Sequence, residues 1–284
     1  MTEFNAPSKL SDVTRFNDAP WMLRIVLADI DGGRMTTTEL AKIDAAPPST
    51  NALVISGLDQ PMFEMLVARF GHRFTAIYFW KCPRIEDLTP LEALPSLTYV
   101  AFYWNQRAVR LWNFAATPKL RGLQWQDFSR LHALDDLAGG SSLEELRFGD
   151  AVWTKSVFAS LAPLRSLTRL RRLDFDARRI EDGRVQPLVL LPLLESLDFP
   201  VRMFTTEQCA WLRAHLPDSV RGRALVPMES LNKPIGSKDT FIIGKRKPFL
   251  NSMTDGARIA RYTDAFWALV EEYRRDPTLE PPSR

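Results

Sequence analysis

The stretch FTAIYF(74–79)…LTYVAF(97–102)…LRGLQW(120–125)…LEELRF(143–148) decides how this chain folds. Each hexad is apolar at its first, fourth and sixth places, and their first residues, Phe74, Leu97, Leu120 and Leu143, stand 23 residues apart. Looser copies lie outside: TNALVI from Thr50, LRRLDF from Leu170 and LESLDF from Leu194, at spacings of 24, 27 and 24. One such hexad could arise by chance; seven in phase define a repeat. A unit this short cannot bury its own apolar face, so successive units must stack and share one core.

The pattern LxxLxL at this period resembles the leucine-rich repeat family, in its bacterial type with short 23-residue repeats, over roughly residues 50–204. The resemblance implies an α/β solenoid, with a curved parallel sheet on the concave face and short helices or 3-10 turns on the convex face. Residues 50–219 would hold about seven repeats, 1–49 a lead-in and N-terminal cap, and 220–284 a loop, a basic turn and a C-terminal capping helix. Cys82 and Asn105 occupy the ninth place, where the family pattern uses Cys or Asn to bond the turning backbone. Phe128 and Ala151 replace them in the next two repeats, and the following apolar residue comes one place late. Beyond the strands, Ile85, Leu88, Leu91 and Leu94, and Leu131, Leu134 and Leu137, recur in steps of three, which fits tight helical turns.

The flanks read less regularly. Residues 1–20 are polar, with Pro7 and Pro20, and read as a loosely held lead-in. WMLRIVLADI (21–30) reads as a strand and Asp31, Gly32 and Gly33 as a turn. TTTELAKIDA (36–45) has a capping Thr before its Glu, a short helix stopped by Pro47 and Pro48. The repeat at Leu143 is four residues longer than its neighbours, and TKSVFASLAPL (154–164) could form a helix there. TTEQCAWLRAHLPDS (205–219) reads as helix, Leu225 to Gly236 as loop, and DTFIIGKRKPFL (239–250) as a hairpin or single strand. DGARIARYTDAFWALVEEYRR (255–275) has Ile259, Tyr262, Phe266, Leu269, Val270 and Tyr273 at helical spacing, with Thr254 placed to cap.

The net charge of +3 requires neither nucleic acid nor an anionic membrane as partner. The opening residues lack an apolar run, so no signal peptide is expected, and no segment has the length of a transmembrane helix. Cys82 and Cys209 lie on repeats that do not touch and read as buried structural thiols rather than a disulfide or a nucleophile, which suits the cytoplasm. His72, His132 and His215 are each isolated from Cys and from one another, so no metal site is expected. Phosphate-binding glycine loops and the hydrolase elbow are absent. No cofactor is expected, and the chain reads as non-enzymatic. Asp29 to Gly33 starts like a calcium loop but lacks the later ligands, and Gly244 to Lys247 reads as a solvated basic turn.

Alternation along a strand assigns the concave side chains. They are Tyr78 and Trp80; Tyr99 and Tyr103, with Trp104 adjacent; Gln124 and Gln126, with Asp127 adjacent; Arg147, with Asp150 adjacent; Arg172, Asp174 and Asp176; and Asp198. The face therefore runs from aromatic through amide to largely acidic. Exposed Tyr and Trp are hot-spot residue types, so this face is expected to bind another protein, the acidic end suiting a basic surface. The competing reading packs the aromatics under the N-terminal cap. Within the binding class, an inhibitor or immunity-type protein that occludes a toxin or enzyme is expected, with an adaptor or regulatory subunit as alternative. A single-stranded nucleic-acid binder, using stacked aromatics and the Lys245–Lys247 turn, is the alternative of another class; the acidic half of the face argues against it.

Overall fold

A computed structural model describes residues 6–15, 18–153 and 155–282. Part of the lead-in (1–5 and 16–17) and Thr154 of the 154–164 segment lie outside them.

The hexads become strands because their alternation gives each segment one core face and one opposite face. Strands β1 (Met22–Ile25), β2 (Ala52–Ile55), β3 (Ala76–Trp80), β4 (Tyr99–Asn105), β5 (Gly122–Phe128), β6 (Glu145–Gly149), β8 (Arg172–Asp176) and β10 (Ser196–Asp198) form one parallel sheet in sequence order. All seven expected strands are in it, and β1 pairs in register with β2 as an eighth. Two short strands, β7 (Val157–Phe158) and β9 (Arg179–Ile180), pair with each other in a separate two-stranded sheet. This architecture is a leucine-rich repeat solenoid.

Register stacks like on like. The fourth places pair as Leu53, Ile77, Val100, Leu123, Leu146, Leu173 and Leu197, all buried. The sixth places build an aromatic column, with ring centroids 4.6 Å apart for Phe79–Phe102, 5.1 Å for Trp125–Phe148 and 5.3 Å for Phe148–Phe175. The steps of three become 3-10 turns at Thr89–Ala93, Phe114–Ala116, Asp135–Gly139, Ala162–Ser166 and Gln186–Leu190. Three of them carry Pro90, Pro163 or Pro187 at their second residue, where the missing N–H costs nothing in a first turn. The ninth-place Asn105 acts as expected: its Nδ2 donates to the carbonyls of Cys82 (3.1 Å) and Ile85 (2.9 Å), and its Oδ1 accepts from the amides of Arg107 and Ala108.

Helices accompany the first and last repeats. Helix α2 (Thr37–Leu40) has the expected capping box between Thr36 and Glu39, and α3 (Gln60–Phe70) is capped by Asp59, which accepts from the Met62 amide. At the other end α4 (Thr206–His215) packs against α5 (Gly256–Arg275). Phe266, Val270 and Tyr273 of α5 belong to the same apolar core as the repeats.

Four sequence readings are corrected. The lead-in is not loose throughout, since it contains helix α1 (Leu10–Thr14). Residues 155–164 form no α-helix; a 3-10 turn that starts at Ala162, with Pro163 second, follows the short strand β7 instead. Residues 228–235 are strand β11 (Met228–Ile235), paired antiparallel with β12 (Lys238–Ile242), which in turn pairs with β13 (Phe249–Leu250). Asp255, not Thr254, precedes α5, and it makes no side-chain cap bond.

Candidate functional site

The concave sheet divides into two halves of different chemistry. On β2, β3 and β4 the concave residues Ala52, Val54, Ala76, Tyr78, Tyr99 and Ala101 are small or aromatic, and together with Leu10, Val13 and Trp21 they form a second apolar cluster. Helix α1 lies across them. Five residues do not hold a helix in water alone; here Asp12 accepts from Ser8 Oγ (2.8 Å) and the Ser8 amide (3.0 Å), while Leu10 and Val13 bury against the sheet. The Tyr99 hydroxyl donates to the Ser8 carbonyl at 2.5 Å. Gly122 makes room, since a Cβ there would lie 2.6 Å from the Tyr99 ring and 3.3 Å from Leu10.

This corrects the expectation of a bare aromatic surface. Tyr78 and Tyr99 are only 5% and 1% exposed. Trp80 and Tyr103 are half-buried and pack against the same cluster. Burial pushes the Tyr78 hydroxyl up, well above the usual phenol range, with Tyr103 adding to the effect. Gln124 and Gln126 are also buried, leaving little side chain to offer a partner.

The second half, on β6, β8 and β10, is open and charged. Arg147 pairs with Asp174 at 3.1 Å, Arg172 with Glu145 at 3.3 Å, and Arg223 with Asp198 at 3.2 Å. The expected acidic stripe is therefore a lattice of alternating charge, its carboxylates partly neutralised by arginines from neighbouring strands and from the 223–225 turn. Asp176 differs. No cation pairs with it among the described residues, and loss of hydration, then the charges of Asp150 and Asp174, push its carboxyl up to about 6 against the pull of Arg223.

The rim at the strands' C-terminal ends has its own rule. The eighth place of four successive repeats is left-handed: Gly57 (φ 72°), Lys81 (55°), Trp104 (62°) and Asp127 (54°). Non-glycine residues rarely adopt this conformation, so the repeat forces it to turn the chain off the sheet. At Asp127 the corner has a use, because Oδ1 accepts from the amides of Ala151 (2.8 Å), Val152 (3.2 Å) and Trp153 (3.3 Å). Asp150 is likewise buried, accepting from the amides of Lys155 and Ser156 and from Ser156 Oγ at 2.7 Å. Asp150 is thus corrected from a contact residue to a loop support.

Together the two carboxylates hold the 151–156 loop so that Val152 and Trp153 stand 62% and 53% exposed. Trp153 and Trp104 line one cleft of about 320 Å³ on this rim, with Asp127 and Asp150 also in its wall. Sequence reading missed Trp153. Its signal was the four extra residues of the repeat that starts at Leu143, a lengthening read as helix.

Both thiols are buried: burial pushes Cys82 up to about 12 and also raises Cys209, with Glu207 adding to it, which disfavours the thiolate at either position. Among the described residues no three His, Cys, Asp or Glu side chains group to hold a metal, and no helix is long and apolar enough to cross a membrane.

No family profile and no curated protein matches the chain. Among solved structures, it is similar to an internalin of Listeria monocytogenes, 19% identical over 67% of this chain and 61% of that one, with a TM-score of 0.44. An internalin C2 from the same organism is 20% identical over 66% and 73%, at 0.42. A leucine-rich repeat protein of Leptospira interrogans is 12% identical over 77% and 54%, at 0.46. This chain thus spans about three fifths of the first internalin's length.

Proposed function

We propose that this chain is a non-enzymatic protein-binding module. Its contact surface is the open half of the concave sheet, with Arg147, Arg172, Asp174, Asp176 and Asp198, joined to the rim cleft between Trp104 and Trp153. The observation that carries the reading is that cleft. Two tryptophans from different repeats flank it, one of them half exposed, on a loop that buried carboxylates hold in place. Tryptophan dominates interface hot spots, and a surface already ordered loses little entropy on binding. Tyr78, Tyr99, Gln124 and Gln126 support this surface without being part of it, and Asp150, in the cleft wall, holds the loop.

The finer reading is an inhibitor or immunity-type role in the cytoplasm, in which the rigid face occludes a toxin or enzyme; free, buried Cys82 and Cys209 suit a reducing compartment. The test is affinity capture from the native cell with the wild-type chain and with Trp104→Ala/Trp153→Ala side by side. A protein retained by the first and bound about 30-fold more weakly by the second, roughly 2 kcal/mol, supports the reading. Equal retention by both chains removes the rim from it.

A further inference from the structure

A second concavity lies away from the rim tryptophans, and its chemistry is different. It is a cleft of about 840 Å³ between β9, the start of α4 and the turn that joins β12 to β13. Arg178, Arg179, Lys245 and Arg246 line it, against a single carboxylate, Glu181. Arg179 pairs with Glu181 at 3.1 Å. Among the described residues Arg178, Lys245 and Arg246 have no carboxylate partner, whereas Arg147, Arg172 and Arg223 on the concave face all do. Gathering cations around one cleft without counter-charge raises the local potential and opposes folding, unless an anion enters.

The cations are also held in position. The Gly244 amide donates to the Val201 carbonyl at 2.9 Å, the Lys245 amide to the Phe204 carbonyl at 2.7 Å, and Thr206 Oγ1 to the Ile243 carbonyl at 2.8 Å. A Cβ on Gly244 would lie 2.2 Å from Thr206 Oγ1, and Gly244 has φ +123°, so only glycine lets the turn press this closely on α4. Arg246 follows in the left-handed region at φ 63°. These contacts fix the turn against the last repeats, so Lys245 and Arg246 face the same cleft as Arg179 of β9 and Arg178 just before it.

We infer that this cleft is a binding site for a small polyphosphate anion. Guanidinium groups match phosphate oxygens with paired N–H donors, lysine adds a point charge, and the volume suits a small molecule. The site is separate from the rim and does not depend on the protein-binding reading.

The probes are sodium tripolyphosphate and ATP, titrated calorimetrically into the whole chain. Saturable binding is expected, weakening as NaCl is added because exposed charges are screened. Arg178→Gln/Lys245→Gln/Arg246→Gln, all at exposed positions, should bind at least tenfold more weakly while melting at the wild-type temperature without ligand. Lys119→Gln/Arg130→Gln/Arg165→Gln removes the same charge from other exposed sites and should bind as wild type does. Equal affinity for the two probes would mean that the phosphate chain alone is recognised, and tighter ATP binding that the nucleoside is read as well; both support the site. Absence of binding, an equal loss in the control variant, or much tighter binding of a single-stranded RNA oligomer through the same three residues would overturn it.

Discussion

The two halves of the concave sheet are built on one backbone register, yet one is covered and the other open. On β2 to β4 the concave positions carry Ala, Val and Tyr, and helix α1 lies on them with Leu10 and Val13 buried. On β6, β8 and β10 they are charged: Arg147 pairs with Asp174 and Arg172 with Glu145 across strands, Asp198 pairs with Arg223 of the 223–225 turn, and little apolar area is left to hide. A parallel sheet with an apolar face needs a layer over it; one laced with cross-strand ion pairs stays hydrated at little cost. The covered half is thus part of the protein's stability, and the open half is available for recognition.

Removing the cover should have the largest effect. Leu10 and Val13 contribute about 1.5–3 kcal/mol each by burial, and a chain lacking residues 1–15 also leaves Tyr78 and Tyr99 bare. Urea unfolding should show a lower midpoint, and the shortened chain should bind a hydrophobic dye. Unchanged midpoints would mean that the aromatic half needs no cover and would dissolve the contrast between the halves.

An intermediate effect sharpens the open half. Asp176 titrates at about 6 in the folded chain against 3.8 for an ordinary aspartate, so between these values the folded state holds the extra proton. Stability from this group is therefore fully present below the unfolded value and lost as pH rises through about 6. Asp176→Asn removes that dependence. The wild type should gain on the variant when urea midpoints are compared at pH 4.5 and pH 7, the gain appearing at the lower pH. Parallel shifts in both chains would mean that Asp176 is as well hydrated as an isolated aspartate.

The smallest effect belongs to the exposed pairs. A double-mutant cycle of Arg147→Gln and Asp174→Asn should return a coupling of about 0.2–1 kcal/mol, falling with salt. Coupling well above that range would make the lattice a structural element comparable to the α1 cover rather than a hydrated surface.

Everything that repeats is legible in the residues alone. Apolar first, fourth and sixth places at a 23-residue period dictate strand, core side, neighbour and register, because each unit is buried only by an identical unit beside it. Phe79 on Phe102 and Asn105 over the Cys82 turn follow from that period alone. Tertiary structure decided what happens once per molecule. Leu10 and Val13 sit in a polar stretch without periodicity, and the tyrosine that meets Ser8 is 91 residues away. Asp127 reads as a concave-edge carboxylate until the lengthened 151–156 loop brings three amides onto it. Lys245 and Arg246 read as a solvated turn until that turn is pinned against the last repeats beside Arg178. Periodicity specifies contacts between neighbours in the chain's own order; contacts between distant, unrepeated segments depend on which surfaces the finished solenoid leaves apolar or charged.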